Sequence, residues 1–177
     1  MRGVTHTLLG AAVALPIAVS RSPEVAAGCL WLGMVGGGFP DWLDFRSNLR
    51  APFRLRHRGA SHAIPALVAC STALYAALEL IRRAGFKVGG LTIDPGRETI
   101  VAWTTVFALG IASHLASDAC TYSGIKPFLP FASFRVWLLP RFLRSRSDGY
   151  LDTLARLSAI VVLAFGIVFA VARWLIG

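Results

Sequence analysis

Apolar residues gather in five runs, at about 4–19, 25–39, 60–81, 99–119 and 154–176, and most charged residues fall between them. Each run is close to the length of a helix that crosses a hydrocarbon core about 30 Å thick. The last is the cleanest. The first two are short enough to tilt, to lie half-buried or to re-enter. Gly36, Gly37 and Gly38, followed by Pro40, are expected to end the second run. Glycine weakens a helix, and proline lacks the N–H that would continue it. Arg2, the first apolar run and Ala18-Val19-Ser20 together also have the form of a secretory signal peptide.

Composition strengthens the membrane reading. Hydrophobic residues make up 55% of the 177 positions and charged residues 15%, against roughly 25% charged in an ordinary soluble domain. Mean hydropathy is +0.63. A disordered chain needs low hydrophobicity, and a small soluble enzyme cannot hide this much apolar surface. The expected architecture is all-α: one polytopic membrane-embedded bundle over 1–177, with about five apolar helices and an extra interfacial amphipathic segment. Cys29, Cys70 and Cys120 lie in or at the ends of apolar runs without a pairing pattern, so they read as buried inert thiols.

The formal net charge of +9 suits nucleic acid or anionic lipid headgroups, and its placement chooses the lipid. With five crossings, the N-terminus, the connection 41–59 and the connection 121–153 share one side. Twelve of the 18 Lys and Arg fall on that side, counting Arg156 at the start of the last run, among them Arg46, Arg50, Arg54, Arg56 and Arg58. The positive-inside rule puts that side in the cytoplasm, of a bacterial or archaeal inner membrane. No nucleic-acid-binding module is recognisable.

All four histidines, His6, His57, His62 and His114, fall beside run ends on that same side, together with Asp41, Asp44 and Asp118. Asp41 and Asp44 are three apart and face one way on a helix. His114 and Asp118 are four apart, stacked on one helix face. His57 and His62 bracket Arg-Gly-Ala-Ser, where Gly59 permits a bend and Ser61 is placed to cap the next helix. Singly, such residues are more often interfacial or capping groups. Jointly, costly polar groups gathered at one membrane face mark a functional site. Imidazole and carboxylate are the ligand set for zinc, manganese or iron. Seven such groups exceed one tetrahedral shell and suit one or two ions, the latter sharing a bridging carboxylate. Glu24, Glu79, Asp94, Glu98, Asp148 and Asp152 read as loop, cap or surface charges.

Thr5-His6, Gly38-Phe39-Pro40-Asp41-Trp42-Leu43-Asp44, His57-Arg58-Gly59-Ala60-Ser61-His62 and Ser113-His114-Leu115-Ala116-Ser117-Asp118, with Thr121, Gly124 and Pro127 after them, resemble the YdjM-type family of membrane-bound metal-dependent hydrolases. That family is also described as LexA-binding and inner-membrane-associated. The chain departs from its pattern at Ala63, often serine, and at Phe45, often histidine. The resemblance implies a metal-dependent hydrolase without naming a substrate. It also implies that the first run is retained, because signal cleavage would discard His6.

On this reading His6, Asp41, Asp44, His57, His62, His114 and Asp118 are metal ligands, with zinc or manganese as the first candidates. Asp41 and Asp44 are the candidate catalytic carboxylates, one of them a general base for metal-activated water. Arg58 is either a fork for a phosphate or developing oxyanion, or one more anchor in a basic loop. A site at headgroup level on a basic face suits an amphiphilic lipid-type phosphoester, with membrane lipids as partners. Residues 128–142 carry Phe128, Phe131, Phe134, Trp137 and Phe142 beside Arg135 and Arg141. They read as an amphipathic segment in the interface, a simple anchor before a lid or lipid-access surface. The alternative to an enzyme is a non-catalytic metal-binding regulator or scaffold. Transport is disfavoured, because transporters place ligands near the midplane. The oligomeric state is not legible.

Overall fold

The computed structural model describes residues 1–49, 59–85, 87–88, 91–92 and 95–176. Among these, five α-helices dominate: α1 Gly3–Ala18, α2 Pro23–Leu49, α3 Ile64–Ala84, α4 Arg97–Ala119 and α5 Tyr150–Ile176. The remainder includes 3₁₀ turns at Ala60–His62 and Arg141–Leu143 and a two-residue antiparallel pairing of Lys87–Val88 with Leu91–Thr92. Of about five apolar helices expected, α3, α4 and α5 are long and apolar enough to cross a membrane, and α1 is a shorter apolar helix.

The second run does not end where its glycines and proline suggested. Helix α2 continues through a buried Pro40 to Leu49. The glycines serve as a contact surface instead. A Cβ on Gly37 would stand 2.2 Å from the His6 carbonyl oxygen, and one on Gly36 would stand 2.3 Å from that of Phe107. Gly10 on α1 and Gly110 on α4 approach the Gly33 carbonyl oxygen in the same way, at 2.2 and 2.5 Å from their would-be Cβ atoms. Helices α1, α2 and α4 therefore meet backbone to backbone, the small-residue packing that membranes favour where the hydrophobic effect cannot pull helices together. Helix α5 packs on α1, and α3 packs on α4.

This arrangement sorts the helix termini into two ends. At one, Arg21 reaches Glu98 at 3.5 Å, and Arg173 donates to the Val19 carbonyl at 3.0 Å. At the other lie the starts of α1, α3 and α5 and the ends of α2 and α4. There Asp152, in the first turn of α5, accepts a hydrogen bond from the Arg2 backbone N–H at 2.9 Å. One helix thus satisfies a free donor at the start of its neighbour.

The α4–α5 connection, expected to be an amphipathic interfacial segment, is irregular apart from its one 3₁₀ turn. It is held by bridges from Ile125 to Val136 and from Thr121 to Ser145, and by the Trp137 indole N–H on the Tyr122 carbonyl. Gly124 has φ +61°, and a Cβ there would meet the Val136 carbonyl oxygen at 2.8 Å, so a side chain is excluded on both counts. The aromatics stand outward: Phe131 is 85% exposed and Phe142 81%. All three cysteines are free.

Candidate metal centre

The glycine seam sets the site. Because α1 and α2 touch at Gly37 and α2 and α4 at Gly36, His6 and His114 come close enough to stack, with ring centroids 3.7 Å apart. The turn before α3 delivers His62, whose ring meets that of His114 edge-on at 4.9 Å. All three rings are buried. Asp118 stacks beneath His114 on α4, and the extension of α2 past Pro40 brings Asp41 and Asp44 to the same place.

Each imidazole is tied back through its Nδ1. The Gly37 carbonyl accepts from His114 Nδ1 at 2.7 Å, so that nitrogen carries the proton. Ser117 spends its hydroxyl proton on the His114 carbonyl at 2.9 Å, leaving its oxygen to accept from His6 Nδ1, also at 2.9 Å. Ser61 donates to Asp44, leaving its oxygen to accept from His62 Nδ1 at 3.0 Å. In the neutral tautomer that these contacts favour, Nε2 is the nitrogen left to accept or to coordinate. Holding one ring nitrogen to fix the other is how proteins prepare histidine for a metal.

The Nε2 atoms face carboxylate oxygens. His62 Nε2 lies 3.3 Å from Asp41 Oδ1 and 3.9 Å from Asp118 Oδ2. His114 Nε2 lies 3.7 Å from Asp41 Oδ1 and 3.9 Å from Asp118 Oδ2. His6 Nε2 lies 3.5 Å from Asp118 Oδ1. His114 Nε2 is buried and meets no hydrogen-bond partner among the described residues. A lone pair held against two anions is unfavourable unless a cation sits between them. Ligands about 2.0–2.1 Å from a tetrahedral ion stand about 3.3–3.4 Å apart, close to the shorter separations here. The residues fit a metal ion, in two overlapping sets that share His114: His6, His114 and Asp118, and Asp41, His62 and His114.

Of the sequence candidates, His6, Asp41, His62, His114 and Asp118 come together as possible ligands. Asp44 stands one step behind, bonded to Ser61 and 3.5 Å from His62 Nδ1. His57 and Arg58 lie outside the described residues. Asp41 is the open member, with its side chain 31% exposed.

Three contributors were missed by the sequence reading. Ser61 was expected to cap α3, yet α3 starts from Ala63 without a side-chain cap, and Ser61 links Asp44 to His62. Ser117 and the Gly37 carbonyl were not singled out for the site. The only signal was position: Ser61 precedes His62, and Ser117 follows His114 by three.

A family model described as YdjM inner membrane protein matches residues 1–176. No curated protein and no solved structure matches the chain.

Proposed function

The chain belongs to the YdjM inner membrane protein family, and on that premise we propose that it is a metal-dependent hydrolase acting on a lipid-type phosphoester at the cytoplasmic membrane face. The observation that carries this reading is the convergence of three tied-back imidazoles on Asp41 and Asp118. His62, His114, Asp41 and Asp118 would hold one divalent transition ion, zinc or manganese. His6 faces the other oxygen of Asp118 at 3.5 Å, but the Met1 ammonium already holds that oxygen at 2.8 Å, so a second ion there would have to displace it. When bound, the divalent ion would supply a water acidic enough to ionise near pH 7 and a positive charge for a phosphoryl oxygen.

The chain's own residues do the rest. Ser61 and Asp44 hold the His62 ring in one tautomer and orientation. Gly37 and Ser117 do the same for His114 and His6. Asp41, the exposed carboxylate, lies where substrate would arrive and is the candidate general base. Burial of the other ligands excludes competing water and strengthens their interactions. The reading of this end as cytoplasmic is supported by the excess of Lys and Arg in the sequence of its connections.

A second reading rests on that same burial. His62 and His114 are 0% exposed, which also suits a structural metal in a non-catalytic regulator or scaffold. The test is turnover of a long-chain phosphatidate by purified protein, before and after chelation and reloading. The enzyme reading predicts turnover that follows the metal and is lost in Asp41→Asn. Tight metal binding with no turnover of phosphatidate or related lipid phosphoesters would leave the scaffold.

A further inference from the structure

Three consecutive glycines on α2 do different work. Gly36 and Gly37 are forced by packing, since a Cβ on either would strike backbone at 2.2–2.3 Å. Gly38 is not: a Cβ there would meet only the Thr7 methyl, at 3.9 Å. The helix bundle does not require a glycine at this position. What its bare backbone does create is the floor of an apolar groove of about 500 Å³, within the size range of small-ligand sites.

The groove runs along one stripe of α2. Trp31, Met34, Val35, Gly38 and Trp42 recur at helical spacing and line it, with Thr7 on α1 forming the opposite wall. Trp31 is 63% exposed and Trp42 50%, so the groove opens outward from the bundle, toward lipid. Thr7 turns its hydroxyl away, donating to the Gly3 carbonyl at 2.6 Å, and presents its methyl. None of the candidate ligands lines the groove, but its Gly38–Trp42 end lies beside them along α2: Asp41 is three residues, less than one helical turn, beyond Gly38. A hydrocarbon chain lying along this stripe would place its polar end beside Asp41, the exposed ligand.

We propose that the Gly38 groove is the subsite for one hydrocarbon chain of the substrate, a lipid bearing a phosphate headgroup. This rests on the hydrolase reading above and names which part of the substrate the protein grips away from the reacting bond. Its nearness to Asp41 distinguishes the groove from the outer face of α5, where Phe165 and Phe169 are exposed and, among the described residues, no candidate ligand group lies on that helix.

The experiment uses the full chain in detergent and a single-chain alkyl phosphate carrying a photoreactive diazirine in its chain. Adducts are mapped by peptide mass spectrometry. The expected result is labelling of residues 31–42 several-fold above the outer face of α5. In Gly38→Leu, which fills the groove, it should fall to the α5 level while metal content stays unchanged. A probe of equal chain length with a neutral headgroup should label both faces alike. Equal labelling of the two faces by the phosphate probe, labelling that survives Gly38→Leu, or equal groove labelling by the neutral probe would each overturn the proposal. Labelling does not depend on turnover, so a labelled groove in a protein that hydrolyses nothing would sustain the chain subsite and defeat the hydrolase reading alone.

Discussion

Helices α4 and α5 are both apolar enough to cross a membrane, yet they occupy opposite environments. Over its most apolar 18 residues α5 has mean hydropathy 2.5 against 1.5 for α4, but only 17% of that stretch is buried against 44%. In water the more hydrophobic helix would be the core. In a bilayer the surroundings are as apolar as leucine, so hydrophobicity marks lipid contact and burial goes to surfaces that pack closely or carry polar groups. Helix α4 has Gly110, His114 and Asp118 facing inward, whereas α5 turns Val161, Phe165 and Val168 outward.

The glycine seam is where a single substitution should do the most damage. Gly37→Leu drives a side chain into the His6 carbonyl, and backbone cannot yield as a side chain can. The effect should exceed the roughly 1–3 kcal/mol of ordinary overpacking. No monodisperse protein is expected on size-exclusion chromatography. Metal removal comes next. With free metal at about a thousand times its Kd, binding adds about 4 kcal/mol of stability. Chelation should lower the unfolding temperature of wild type accordingly and leave that of His114→Ala unmoved.

A charge on the outer helix tests its lipid exposure. Val161 is 67% exposed, and Val161→Lys should cost about 2.5–3.5 kcal/mol of insertion free energy, as for a lysine near the middle of a membrane helix. A glycosylation-based insertion assay reads this directly. Behind the ligands, Ser61→Ala removes the link between Asp44 and His62. Metal affinity in a competition titration should fall about 10–100-fold with the fold intact. The smallest effect is predicted for Phe165→Leu, 74% exposed on α5, at within about 0.5 kcal/mol in thermal unfolding.

Much of the fold was legible because the length of an apolar run is a direct physical signal. The start of α4, the five-helix order and the gathering of polar groups at one end all follow from it. Where α2 ends was not. Glycine and proline break helices in water, and nothing in Gly-Gly-Gly-Phe-Pro says that two carbonyl oxygens of neighbouring helices fill the space. His6, His62, His114, Asp41 and Asp118 stood out by residue type and spacing. Their division from Asp44 did not, because whether a carboxylate faces an imidazole Nε2 or reaches it through Ser61 is settled only in three dimensions. The interfacial connection was legible in its exposed aromatics but not in its irregular backbone, which depends on long-range bridges such as Ile125 to Val136.

Whether separate helix ends share one metal centre is decided by elemental analysis of detergent-purified wild type beside His62→Ala and His114→Ala. Wild type should hold one or two equivalents of a transition metal, retained through dialysis and lost from both variants, although the two histidines stand on different elements. Wild-type protein that holds no metal after reloading, or variants that hold as much as wild type, would contradict it.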